Sequence, residues 1–234
     1  MTTRVSVGRD VLQDNARDAQ ANRERFARAG VYVLNLMSGP GAGKTTLLER
    51  TVGALSPRVR LAVIAGDLET RRDADRIGSH GVPVVQINTG GACHIEAHQI
   101  AKAAEQLELS EFELLIIENV GNLVCPAEFD LGEHDKAMML SCTEGHDKPA
   151  KYPLMFREAR VMLLSKMDLL PHTNFDVDAA VADAQALNPG IEVIKVSAVT
   201  GEGLDVWFDW LESRIQAARR YRGGTHRRCS FLKS

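Results

Sequence analysis

One short stretch limits what this chain can fold into more than any other. Val31–Met37 (VYVLNLM) is a β-rich apolar run that passes directly into Ser38-Gly39-Pro40-Gly41-Ala42-Gly43-Lys44-Thr45. The apolar spacing from Leu47 to Leu55 then reads as a helix. A strand, a glycine-rich turn ending Gly-Lys-Thr and a helix form a phosphate-binding P-loop. Glycines let successive backbone N–H groups curl around a phosphate, and the helix adds the positive end of its dipole. Lys44 is placed to reach β- and γ-phosphates, and the Thr45 hydroxyl to ligate Mg²⁺. Ser38 stands where the first glycine usually does; serine adopts most turn geometries that need no positive φ.

The strand–helix rhythm recurs along the chain. Leu61–Ala65, Val82–Ile87, Leu114–Ile117, Ala137–Leu140, Val161–Leu164 and Glu192–Val196 read as strands, with Pro83 making the start of the second irregular. Asp73–Ser79, Ile95–Leu107, Asp176–Leu187 and Leu204–Ala218 read as helices. Short buried strands alternating with helices predict an α/β P-loop NTPase with a mostly parallel sheet covered on both faces. Residues 1–29 read as an N-terminal extension ending in a helix that stops at Gly30, with Val11, Leu12, Ala16, Ala19 and Phe26 on one face. Residues 30–218 form the nucleotide domain, and the basic stretch 219–234 reads as a frayed tail.

A phosphate site needs carboxylates for its metal. Glu118 closes the apolar run Leu114–Ile117, and Asp67 follows Leu61–Gly66; both fall at the sheet edge where ligands bind in such folds. Asp73 is a weaker Mg²⁺ candidate. Ser165-Lys166-Met167-Asp168 resembles the Asn-Lys-x-Asp motif that reads guanine, and Ser197-Ala198 resembles the loop that caps guanine O6. A carboxylate at Asp168 accepts from guanine N1–H and its exocyclic amine. Adenine leaves that acid unpaired, and each such bond is worth about 1.5–3 kcal/mol. Lys166 lays its stem along the base. Ser165 in place of asparagine is expected to lose an amide that braces the P-loop. Phosphate contacts are assigned to Gly39, Gly41, Ala42, Gly43, Lys44, Thr45 and Thr46.

Cys93-His94 follows the strand ending at Ile87, and Cys125 lies seven residues beyond Glu118. Both loops leave the edge that carries the P-loop. Two thiolates and an imidazole suit Zn²⁺ or Ni²⁺, but spacing alone favours the two cysteines as small core residues and His94 as a polar residue at a helix start. Cys142 reads as core, and Cys229 as a thiol of the tail.

Composition narrows the class. Of 234 residues, 44% are hydrophobic and 25% charged, which suits a soluble domain with a real core. A net charge of −3 offers no basic field for nucleic acid or anionic lipid. No apolar run approaches the ~20 residues of a membrane helix, and no signal segment opens the chain, so the cytoplasm is the expected compartment. Four cysteines are too few and scattered for a disulfide scaffold.

Several longer stretches are specific. NLMSGPGAGKTTLLER, AVIAGDLETRRDADRI, PVVQINTGGACHIEAHQI, IIENVGNLVCPAEFDLGE, TEGHDKPAKYPLMF, SKMDLLPH and VSAVTGEGLDVW resemble, in unbroken order from about Val11 to Leu211, the hydrogenase nickel-incorporation GTPases of the HypB family. The resemblance implies a dimeric GTPase that helps insert nickel into nickel–iron hydrogenase; the motifs call for GTP, Mg²⁺ and Ni²⁺ or Zn²⁺, and with no obvious arginine finger turnover is expected to be slow. It implies that Cys93, His94 and Cys125 form a metal site near the dimer interface. It implies a HypA-type nickel accessory protein and the hydrogenase large subunit as partners. Residues 1–29 hold no Cys or His, so the N-terminal Cys-x-x-Cys site and the His-rich store of some members are not expected. The alternatives are a urease-accessory-type nickel GTPase, a P-loop kinase of small metabolites, and a regulatory GTPase module with structural Zn²⁺.

Overall fold

A computed structural model describes residues 7–66 and 72–226. The elements run α1 (Val7–Ala29), β1 (Tyr32–Ser38), α2 (Lys44–Leu55), β2 (Leu61–Gly66), α3 (Arg72–Gly78), β3 (Val84–Ile87), α4 (Ala97–Ala104), β4 (Leu114–Gly121), α5 (Cys125–Glu128), β5 (Asp135–Ser141), α6 (Lys148–Lys151), α7 (Pro153–Glu158), β6 (Val161–Ser165), α8 (Val177–Leu187), β7 (Glu192–Lys195) and α9 (Leu204–His226), with 3₁₀ turns at Leu109–Glu111 and Met167–His172.

Every strand pairing is parallel, in the order β3-β2-β4-β1-β5-β6-β7. Parallel neighbours need crossover connections, and the helices that supply them bury both faces. Hence all seven residues of β1 are buried. One face meets α2, α3 and α9, where Leu47, Val52, Ile77, Trp207 and Leu211 pack on Leu34, Leu36 and Val63. The other face meets α1 and α4 through Phe26 and Ile100, and α7 and α8 through Phe156 and Ala180. β1 sits where the strand order reverses direction, so the loops after β1 and β4 open a crevice at their carboxyl ends.

Differences from the expected elements are local. β3 starts at Val84, immediately after Pro83, whose carbonyl accepts from Val63 N. Asp176 is an N-cap: its carboxylate accepts from Ala179 N, and α8 begins one residue later. β4 runs on past Glu118 to Gly121, so that acid is paired within the strand, level with Leu36 and Ala65. α9 continues past Ala218 to His226; residues 227–234, with Cys229, lie outside the described residues. The burial of α1 departs from expectation in part: Ala19 and Phe26 face inward as expected, and Ala16 is exposed. Val11 and Leu12 are exposed, and the inward stripe is Asn15, Ala19, Asn22 and Phe26.

Candidate nucleotide and metal site

The P-loop is held from several sides. Gly43 has φ +99°, a conformation glycine adopts without strain, and α2 starts on the next residue. Lys44 Nζ donates to Ser38 Oγ at 3.0 Å, and Ser38 Oγ donates to Gly39 O at 2.6 Å. Ser38 in the first glycine position therefore gives the lysine a seat. Thr45 Oγ1 donates to Glu118 Oε1 at 2.9 Å. A hydroxyl and a buried carboxylate meeting at a helix start and a strand end form an oxygen donor pair that fits Mg²⁺. Asp67 and the side chain of Asp73 lie outside the described residues.

The residues expected to read the base line one cleft of about 220 Å³. Lys166, Asp168, Ala198, Val199 and Gly43 line it. Asp168 Oδ1 accepts from Ser197 Oγ at 2.5 Å, which fixes the carboxylate's rotation. Lys166 adopts φ +58°, the sole non-glycine positive φ among the described residues, and its Nζ donates to Gly41 O at 2.7 Å. The expected loss of a brace at Ser165 is corrected. Its hydroxyl donates to Ala42 O at 2.9 Å, so the shorter side chain still ties β6 to the P-loop.

The cysteine–histidine set converges too. Cys93 Sγ lies 2.9 Å from Cys125 Sγ and 3.5 Å from His94 Nδ1, and one ligand atom from each residue falls within 4.8 Å of the others. The contact between the thiols pushes Cys125 up to about 11, because the proton they share resists removal. Burial lowers His94, keeping its imidazole neutral as a metal ligand requires. His94 Nε2 is buried without a hydrogen-bond partner among the described residues, and Glu96 Oε1 stands 3.9 Å off. A neutral imidazole with an unused nitrogen beside two thiols is the donor set of a soft or borderline divalent metal. Phe129 stacks on the ring at 3.7 Å between centroids.

The nucleotide-binding domain family described as CobW/HypB/UreG matches residues 32–195. Hydrogenase maturation factor HypB of Azotobacter chroococcum is 54% identical over 218 residues, covering 93% of this chain and 72% of that protein. The chain belongs to the HypB family of hydrogenase maturation factors. Among solved structures, Helicobacter pylori HypB in complex with nickel aligns at TM-score 0.83 and 40% identity, covering 87% of this chain and 96% of that one. Archaeoglobus fulgidus HypB aligns at 0.82 and 37%, covering 87% and 99%.

Around this HypB-family site stand residues that motif reading passed over. Asn122 Oδ1 accepts from Val124 N, and its amide faces Cys125 Sγ at 4.0 Å, capping the turn into α5. Glu144 lies against the P-loop: a Cβ on Gly39 would come within 2.5 Å of its Oε1. Burial raises Glu144. Asn119, next to Glu118, joins Asn35 at 3.2 Å, and Asn35 joins the buried Glu133 at 3.1 Å. An asparagine inside an apolar strand was the available signal for this network; its partners were not. Cys142 is buried in the core, with its thiol on Lys166 O. Among the described residues no helix is long and apolar enough to cross a membrane.

Proposed function

We propose that this chain is a GTP-hydrolysing metallochaperone, working as a homodimer, that carries nickel at Cys93, His94 and Cys125 and assists its insertion into nickel–iron hydrogenase. The observation that supports this best is the convergence of those three ligand atoms within 4.8 Å on loops of the sheet edge that holds the P-loop. The segment from Glu118 to Cys125 joins the two centres directly. Family membership and the nickel complex of the Helicobacter pylori relative agree with it.

GTP seats its phosphates on the backbone of Gly39, Gly41, Ala42 and Gly43, with Lys44 leaving Ser38 for the β- and γ-oxygens. Thr45 and Glu118 would hold Mg²⁺, with Asp67 and Asp73 as further carboxylates. Bound Mg²⁺ neutralises charge that develops on the phosphate oxygens. Thr46 lies beside the base cleft. Asp168, held by Ser197, accepts from guanine N1–H and the exocyclic amine, while Lys166 covers the base and the Ala198 backbone caps O6. Water attacks the γ-phosphorus in line, and positioning with charge neutralisation supplies most of the rate. The described residues present no arginine finger over the P-loop, so turnover is expected near the ~10⁻⁴–10⁻² s⁻¹ of unassisted GTPases. Loss of the γ-phosphate would move the Asp67–Asp73 and Glu118–Cys125 loops, altering the Cys93/His94/Cys125 geometry that would hold nickel. A fourth ligand comes from water or from the second subunit. A HypA-type accessory protein and the hydrogenase large subunit are the partners of this cycle, and Zn²⁺ competes for the same donors.

The test is a titration of metal-free protein with Ni²⁺ in the presence of GDP or a non-hydrolysable GTP analogue, followed by thiolate-to-nickel charge-transfer absorption and by light scattering. A band that disappears in Cys93→Ala, with an affinity that differs between the nucleotides, is the expected result. A band indifferent to nucleotide would leave the cluster structural and end the delivery reading.

A further inference from the structure

The three ligands sit on two loops 31 residues apart in sequence, from His94 to Cys125. Directly, these loops meet through the thiol contact and the stacking of Phe129 on His94. The element that touches both is α1.

Asn15 and Asn22 lie seven residues apart, two turns along one helix face, and both are buried. Each uses its amide to bridge the two loops. Asn15 Oδ1 accepts from Ala97 N at 2.8 Å, while Asn15 Nδ2 donates to Asp130 O at 2.8 Å. Asn22 Nδ2 donates to Ala97 O at 2.8 Å and to Leu131 O at 3.0 Å. Both backbone polar atoms of Ala97 are thus bonded to α1. Ala97 lies three residues past His94, and Asp130 lies five past Cys125.

Neighbouring contacts tighten the same seam. Arg23 takes the Asp130 carboxylate with both oxygens, at 2.9 and 2.7 Å. Gly132, at φ +87°, brings its backbone against Ala19 O and Arg23 N so closely that any Cβ would collide. Phe129, the residue before Asp130, stacks on His94. A displacement of α1 therefore moves the base of one ligand loop, the base of the other, and the ring that fixes the imidazole plane.

We infer that Asn15 and Asn22 of α1 are positioning residues of the metal centre, holding the Cys93-His94 loop and the Cys125 loop at ligating distance. The inference rests on the metal-carrying reading above. An asparagine suits this task because one planar amide donates and accepts in fixed directions, so a single side chain sets the separation of two backbones. A leucine would fill the same space and fix nothing. Groups beyond the ligands that orient them typically change metal affinity about 10–100-fold when removed.

The experiment uses the full chain as wild type, Asn15→Ala, Asn22→Ala, the near-isosteric Asn15→Asp, the exposed control Gln13→Ala, and Cys93→Ala. Ni²⁺ affinity and the thiolate-to-nickel band are read at 25 °C, with GDP affinity and circular dichroism on the same samples. The expected result is that both alanine variants lose about tenfold or more in Ni²⁺ affinity and shift the band, while GDP affinity and Gln13→Ala stay at wild type. Asn15→Asp keeps the acceptor for Ala97 N but sets a buried carboxylate against Asp130 O, so it should lose at least as much Ni²⁺ affinity as Asn15→Ala. Because its shape is unchanged, it decides the matter if Asn22→Ala does not fold. Wild-type nickel affinity and band in Asn15→Ala and Asn15→Asp would overturn the inference while leaving the carrier intact. A band that survives in Cys93→Ala would instead remove the Cys93/His94/Cys125 centre, and this inference with it.

Discussion

The two centres of this molecule are built in opposite ways. The phosphate cradle is a contiguous turn, Ser38–Thr45, whose ligands are backbone N–H groups and whose geometry follows from glycine placement between β1 and α2. The Cys93/His94/Cys125 cluster, the proposed metal centre, is assembled from side chains on two loops, and α1, which bonds to both loops, supplies none of the three. A contiguous site inherits its precision from the element that contains it. An assembled site must take its precision from contacts elsewhere, here two asparagines and an arginine on α1 and a glycine, Gly132, packed closely against that helix. The two centres should consequently fail differently when damaged.

The largest expected effect is at the cradle. Lys44→Ala removes the cation placed to reach the β- and γ-phosphates, and GTP hydrolysis should fall about 10²–10³-fold. The metal band should persist in the GDP-bound protein. Measured single-turnover rates close to wild type would mean that phosphate charge is neutralised elsewhere. Next comes the base cleft. Asp168→Asn replaces two charge-assisted acceptors with an amide, at about 1.5–3 kcal/mol per bond, so GDP affinity should drop by ~10²-fold or more. Xanthosine diphosphate, whose 2-oxo group accepts where guanine's amine donates, should recover much of it. Equal GDP affinity in wild type and variant would take Asp168 out of base recognition. The matching damage to the assembled site is Gly132→Ala. A Cβ there meets Ala19 O at 2.5 Å and Arg23 N at 2.9 Å, in a positive-φ conformation. The cost should be about 2–4 kcal/mol of folding stability. Thermal unfolding would register it, and Ni²⁺ affinity should suffer while GDP affinity at 25 °C does not. A parallel loss of both affinities would show that the centres share one support.

The same contrast explains what could be read in advance. The strand run VYVLNLM, the cradle and the base motif are local patterns, and a period or a spacing identifies them. The metal ligands could be named, but spacing alone left them open to a core reading, because the contact between Cys93 and Cys125 exists only in three dimensions. α1 was legible as a helix, and its working face was not. A search for apolar periodicity selects Ala19 and Phe26, which are buried, but also Val11, Leu12 and Ala16, which are exposed, and it passes over Asn15 and Asn22, which are buried. Buried asparagines have no periodic signature apart from the partners that satisfy them. Glu118 reads as a strand terminus because its neighbours turn polar. Asn119 continues the strand since Asn35 supplies the hydrogen bond that solvent otherwise would.

Ser165 gives the smallest and most discriminating test of the contiguous site. An asparagine amide at this position would reach the P-loop directly, and a serine looks too short. Yet the Ser165 hydroxyl sits at the end of β6, itself 4% exposed, and donates to Ala42 O at 2.9 Å. The bond holds the peptide preceding Gly43, where the chain turns to positive φ before α2 begins. A neutral buried hydrogen bond contributes about 0.5–1.5 kcal/mol, so Ser165→Ala should weaken GDP binding about two- to tenfold. Base preference should not change, because Asp168 is held by Ser197 and not by Ser165. Isothermal titration with GDP and ADP separates the two quantities. A loss of discrimination without loss of affinity would place Ser165 at the base and not beneath the phosphates. No change in either would mean that the glycines and Lys166, bonded to Gly41 O at 2.7 Å, suffice to set the cradle.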